Sequence, residues 1–153
     1  AQKIAFDRVI SQARVNVLAT NDRFELDVPQ AGVLTGILFR TTRDSGAGPV
    51  PVDDIVRSIT LLSDTTFKHD EELPWAALQR LNVADHQLNG GPAVGQPITG
   101  YSFLDRIENG SFASGLNVNA LNETKLRLDL LRAAGTENVD IFFEFAEPLL
   151  GAA

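Results

Sequence analysis

Through the last third of the chain apolar residues fall on every second position: Leu126, Leu128 and Leu130, then Val139, Ile141, Phe143 and Phe145. A period of two puts these side chains on one face of an extended strand, whereas a helix would scatter them around its axis. The pattern recurs at Ile4 and Phe6, at Val15, Val17 and Ala19, and at Phe24, Leu26 and Val28. Residues 33–42 are almost continuously apolar with β-branched content, which predicts a strand covered on both faces, with Gly36 marking a bulge or a close packing contact. Further strands are expected at residues 55–62, at 66–68, around Ile98, Tyr101, Phe103 and Leu104, and more weakly at 116–120.

Turn chemistry separates these runs. Thr20, Asn21 and Asp22 form a natural tight turn, so the flanking runs read as a hairpin. Residues 43–51 and 89–97 carry the Gly and Pro density of surface loops, and Ser63, Asp64 and Thr65 reverse the chain. Ala133, Ala134, Gly135 and Thr136 supply the glycine of a short loop, which predicts a second hairpin between the last two strands.

One segment departs from the alternation. Asp70, Glu71, Glu72, Leu73, Pro74 and Trp75 lead into Leu78 and Leu81, spaced as on a helix. The proline stands near the first turn and the acids before it, where the helix dipole favours negative charge. A helix of about three turns is predicted, with Trp75, Leu78 and Leu81 docked on a sheet edge or capping the barrel mouth. The count of eight or nine strands plus one helix, without internal repeat, predicts an all-β fold: a single jelly-roll barrel or sandwich of about eight strands. A seven-stranded immunoglobulin sandwich with its cysteine pair is excluded in a chain that has no cysteine.

At 153 residues the chain suits one domain, residues 1–153, able to bury roughly 70% of its unfolded surface. Without cysteine there is no disulfide framework and no thiolate metal site. No apolar run approaches the roughly 20 residues of a spanning helix, and no secretory signal is recognisable. The opening Ala1-Gln2 suits a soluble cytosolic product trimmed of its initiator Met, or equally a processed precursor. A net charge of −7 with scattered lysines and arginines argues against nucleic-acid binding and for a solubilising surface.

The inventory of reactive groups is thin. His69 and His86, apart across the helix, cannot build a multi-histidine metal site and are expected to face solvent or end the helix. Asp53 with Asp54, and Asp70 with Glu71 and Glu72, lack the ligand spacing of a calcium loop and read as solvated charge. Asp105, Glu108 and Asp140 are the carboxylates available for acid–base work, but sequence shows no defined separation between them. Residues 110–115 are no nucleophile elbow, and the glycines of 90–100 lack the Lys-Ser/Thr ending of a phosphate loop. Asn109-Gly110-Ser111 and Asn122-Glu123-Thr124 match the glycosylation triplet by chance. No catalytic residue, cofactor or metal is assigned. Trp75 and Tyr101 are the only aromatics that combine a stacking face with a polar group, and most phenylalanines fall on inward positions.

The stretch Ile59-Thr60-Leu61-Leu62-Ser63-Asp64-Thr65-Thr66-Phe67-Lys68, followed by Glu72-Leu73-Pro74-Trp75-Ala76-Ala77-Leu78 and the closing residues 125–145, resembles single jelly-roll capsid proteins. The type is the small major capsid protein of tailless, internal-membrane icosahedral viruses of the sphaerolipovirus kind, whose shells combine two related single-barrel proteins. The resemblance implies a non-enzymatic virion structural protein. It would associate with copies of itself and with a second capsid protein, over a viral membrane, without sequence-specific contact to nucleic acid. It also implies that residues 146–153 form a contact arm, for which a frayed end is the alternative. A jelly-roll carbohydrate-binding or adhesion module, with Trp75, Tyr101 and the 89–97 loop as contacts, is the second reading, and an enzyme the third.

Overall fold

The computed structural model describes residues 6–64, 67–86, 95–107 and 114–148. Its elements in chain order are β1 (Phe6–Asn16), β2 (Asn21–Asp27), β3 (Val33–Asp44), β4 (Pro49–Pro51), β5 (Val56–Ser63), β6 (Phe67–Pro74), α1 (Trp75–His86), β7 (Tyr101–Asp105), β8 (Leu116–Asn117), β9 (Thr124–Leu130) and β10 (Thr136–Pro148). They form two antiparallel sheets. One has the order β1-β10-β3, with β8, β7 and β4 lined up along the far side of β3, and the other has the order β2-β9-β5-β6.

The pairings are nested: β1 with β10, β2 with β9, β3 with β7, and β5 with β6. A long antiparallel hairpin rolled around a barrel gives this nesting, with its two halves crossing repeatedly between sheets. That is the jelly roll expected from the strand count.

Two local expectations fail. The chain around Thr20, Asn21 and Asp22 joins β1 in one sheet to β2 in the other, and the loop holding Gly135 likewise joins β9 to β10 across the sandwich. Both are inter-sheet corners, because strand pairing is decided by the long-range nesting, while the turn chemistry of a corner and of a hairpin is the same. The 43–51 segment moves the other way. It is a tight extension of the sheet, β4 returning along the end of β3.

The core lies between the sheets. Val139, Ile141, Phe143 and Phe145 of β10 face Leu126, Leu128 and Leu130 of β9, all essentially buried, together with Ile37, Phe39, Ile59 and Leu61. Gly36 sits where β3 bulges against β10, and a Cβ there would come within 2.7 Å of the Phe103 ring, so both sequence readings of this glycine hold.

Helix α1 closes one side of the sandwich. Trp75 and Leu78 enter the core, and the indole meets Phe39 edge-on at 6.4 Å. The helix starts one residue after Pro74, and the acids before it belong to β6, so the first turn carries none. Leu81 is half exposed. Gln79 and Asn82 occupy the buried face in its place, and their reason is the neighbouring strand edge. The Asn82 carboxamide donates to the Phe103 carbonyl (2.6 Å) and accepts from its N–H (2.7 Å), and Gln79 donates to the carbonyls of Ile98 and Tyr101. Two side-chain amides thus stand in for a further strand along β7 and block that edge to other chains.

Candidate functional site

Among the carboxylates singled out in the sequence, Asp53, Asp54, Glu72, Asp105 and Asp140 have structural partners, and the side chains of Asp70 and Glu71 lie outside the described residues. Asp53 Oδ1 accepts from the Trp75 indole (3.1 Å), from Gln79 (2.7 Å) and from the Gly100 amide (2.7 Å), tying α1 and the segment before β7 to the β4–β5 connection. Asp54 pairs with Arg43. Asp105 caps the Ile107 amide, and Glu108 lies outside the described residues. His69 is half buried with Nε2 2.7 Å from Ser63 Oγ, and so is not solvent-facing as expected, while His86 ends α1. Among the described residues no group of three or more His, Asp or Glu side chains converges on a metal position. The segments 89–94 and 108–113, including the first glycosylation triplet, lie outside the described residues.

Asp140 is the most informative of these acids. It occupies an outward position of β10, yet it is fully buried because Arg14 of β1 and Arg40 of β3 fold over it, in register on either side. Arg14 Nε reaches Oδ1 at 2.6 Å, and Arg40 Nη2 reaches Oδ2 at 2.7 Å. Burial pushes this carboxyl up, and the hydrogen bonds from the two arginines more than reverse it, holding Asp140 below the usual carboxylate range. Glu137, three residues earlier on β10, follows the same logic. Burial raises it, and the hydrogen bonds from Arg43, the Ala133 amide and Arg132 outweigh that and lower it. A carboxylate held ionised between two arginines is a poor general acid, so the acid–base reading of Asp140 is set aside.

The two outer faces differ in character. On the β2-β9-β5-β6 sheet the outward positions carry neutralising ion pairs, Arg127–Glu25, Lys125–Glu123 and Arg57–Asp129, typical of a hydrated surface. On the opposite sheet Phe142, Leu38 and Phe103 stand side by side on β10, β3 and β7, with Ile10 of β1 beside them and 61% exposed. A depression of about 300 Å³ lies along this row. Next to it a groove of about 390 Å³ opens between Arg14, Arg40, Tyr101 and the β3–β4 hairpin. An apolar row in the middle of a sheet face is the feature of this molecule that solvent alone does not explain. The sequence hid it, because Phe142 and Phe103 belong to dense apolar runs that read as core.

Trp75 packs inward and is 3% exposed, so it offers no platform for a sugar, while Tyr101 keeps about a third of its surface. No helix among the described residues is long and apolar enough to cross a membrane.

The nested two-sheet barrel with a helix between its sixth and seventh strands is the jelly-roll fold found in viral capsid proteins. The structure is similar to that of the major capsid protein of Sulfolobus Turreted Icosahedral Virus, with TM-score 0.64 at 13% identity over 92% of the chain, and to a chain of the atomic structure of that virus, with TM-score 0.63 at 18% identity over 95%. It is also similar to the major capsid protein P2 of bacteriophage PM2, with TM-score 0.57 at 14% identity over 97%. The chain spans less than half the length of these proteins: 48%, 39% and 46% in the same order. Neither a protein family nor a curated protein matches the sequence.

Proposed function

We propose that this chain is a virion structural protein, a jelly-roll building block of an icosahedral capsid that associates with copies of itself and with a second capsid protein. The observation that carries the reading is the fold, shared over more than nine-tenths of the chain with capsid proteins of two viruses. The rest of the molecule suits that role. Its polar clusters are spent on structure, at Asp53, Glu137 and Asp140, and one sheet face keeps an apolar row. Function on this reading lies in surfaces that meet other subunits, and the chain is not an enzyme.

The single domain spans residues 1–153, and a contact arm, if it leaves the barrel, does so after Pro148, because 146–148 pair with β1. Residues of the arm and of the loops at the barrel ends would meet neighbouring subunits and the membrane beneath the shell. Concentration-dependent assembly tests the proposal. Light scattering and electron microscopy of the purified chain, alone and mixed with a companion capsid protein of the same virus, should show closed or sheet-like arrays. Failure to assemble in either mixture, together with saturable binding on a glycan array, would replace this reading by the adhesion-module one.

A further inference from the structure

The groove beside the apolar row is floored by outward side chains of β10 and β3. Arg14 of β1 flanks it on one side, and Pro49 and Pro51 of β4 with Tyr101 of β7 flank it on the other. Its formal charges cancel but are segregated along its length. At one end Arg14 and Arg40 reach over the buried Asp140, two cations on one carboxylate. Their hydrogen bonds to Asp140 use Nε and Nη2, so Nη1 of Arg14 has no partner among the described residues. Asp44 stands at the other end, four positions along β3 from Arg40 and so about 13 Å away. Its Oδ1 accepts from the amides of Gly46 (2.7 Å) and Gly48 (3.1 Å), which leaves Oδ2 as an acceptor. Between the two ends the floor is neutral. Thr42 and Asn138 are half-buried and Thr136 is exposed, and none of these side chains makes a hydrogen bond to another described residue.

We infer that this groove binds an acidic saccharide, with a sugar carboxylate on the arginine end and sugar hydroxyls on Asn138, Thr42 and Asp44. The cationic end carries one positive charge beyond what Asp140 neutralises, which one carboxylate matches through charge-assisted hydrogen bonds. Asp140 already holds both guanidiniums in place, so little of their freedom is lost when a ligand arrives. In the free protein, water serves the hydroxyls and the amide of the floor. Only a ligand that reproduces those hydrogen bonds displaces that water without loss, which calls for several hydroxyls beside the carboxylate. Tyr101, about a third exposed, offers a ring face with a polar tip, and the prolines make the opposite end of that flank stiff. A volume of about 390 Å³ lies within the range of small-ligand sites and is far more than a lone ion fills. The outward charges of the opposite sheet are paired with one another and build no such graded site. The inference goes beyond the capsid reading and does not depend on it.

Isothermal titration of the purified chain with a galacturonic acid trimer and with the neutral galactose trimer tests the groove. The acidic trimer should bind saturably, and the neutral one about ten-fold or more weakly. Arg14→Gln should weaken the acidic trimer about ten-fold and leave the neutral one unchanged. Asn138→Ala removes a floor amide without touching the arginines and should weaken both trimers about three- to ten-fold. Asn138→Ala decides the matter where Arg14→Gln melts below the assay temperature. Absence of saturable binding, equal affinity for the two trimers, or variants that bind like the unmodified chain would overturn the inference. Triglutamate bound as tightly as the acidic trimer would also overturn it and put an acidic peptide in the groove. A chain that forms particles and binds neither trimer refutes this site alone, and one that binds the acidic trimer but forms no particles refutes the capsid reading alone.

Discussion

Replacing Arg14 and Arg40 together by methionine strands Asp140, which has no solvent exposure and receives its side-chain hydrogen bonds at 2.6–3.3 Å from these two residues. A buried carboxylate without partners takes a proton, and such groups titrate as high as about pH 8–9. A rise of two to three pH units above the ordinary value near 4 costs about 3–4 kcal/mol at pH 7, at about 1.4 kcal/mol per unit. That agrees with the roughly 3–5 kcal/mol lost when a buried ion pair loses one partner. In a domain of this size it lowers Tm by on the order of 10 °C. Either single replacement leaves one guanidinium in place, so the double variant should lose more than the sum of the singles. Urea unfolding at pH 7 and pH 4 checks the cause. The penalty should be large at pH 7 and shrink at pH 4, where the carboxyl is protonated in the folded variant and about half protonated in the unfolded one. An equal penalty at both pH values would refute the electrostatic account and assign the loss to packing of the arginine stems.

Three further outcomes follow from the same structure. Asp140 and Glu137 are both held below their ordinary range, so the stability they contribute is present above about pH 5 and drains away as pH falls through their depressed values. The double variant Glu137→Gln, Asp140→Asn should flatten that acid limb in a Tm-against-pH series, and an unchanged slope would contradict it. Gly100→Ala should cost about 2–4 kcal/mol in denaturant unfolding, because Gly100 has φ +77° and a Cβ would meet the Thr41 carbonyl at 2.9 Å and Pro51 Cβ at 2.6 Å. Asn82→Ala removes both hydrogen bonds to the Phe103 backbone, with an expected loss of about 2–3 kcal/mol and increased aggregation by light scattering as the β7 edge opens. A soluble, fully stable Asn82→Ala protein would show that the amide does not guard the edge.

The strands were legible because alternation reports local exposure: β9 and the inward side of β10 are buried where period two places them. Their partners were not. The turns at Asn21 and Gly135 have the residues of hairpins, and only the distant pairings of β1 with β10 and β2 with β9 make them corners. On α1, hydropathy pointed to Leu81 for the buried face, yet Asn82 takes that place, because a strand edge needs donors and acceptors that leucine lacks. The partners of Asp53 and Asp140 were hidden, since they come from a helix and from strands twenty or more residues away. The apolar row over Phe142, Leu38 and Phe103 was hidden for the same reason. Which side of an apolar strand faces outward depends on its register with neighbours, and a single sequence does not carry that.

The capsid reading stands or falls on whether the chain occurs in particles. Mass spectrometry of density-purified virions, from a culture in which this protein is made, should find it among the most abundant components, in constant ratio to the other shell proteins. Intact particles whose shell lacks the chain, with the protein recovered only in the unassembled fraction, would contradict the account.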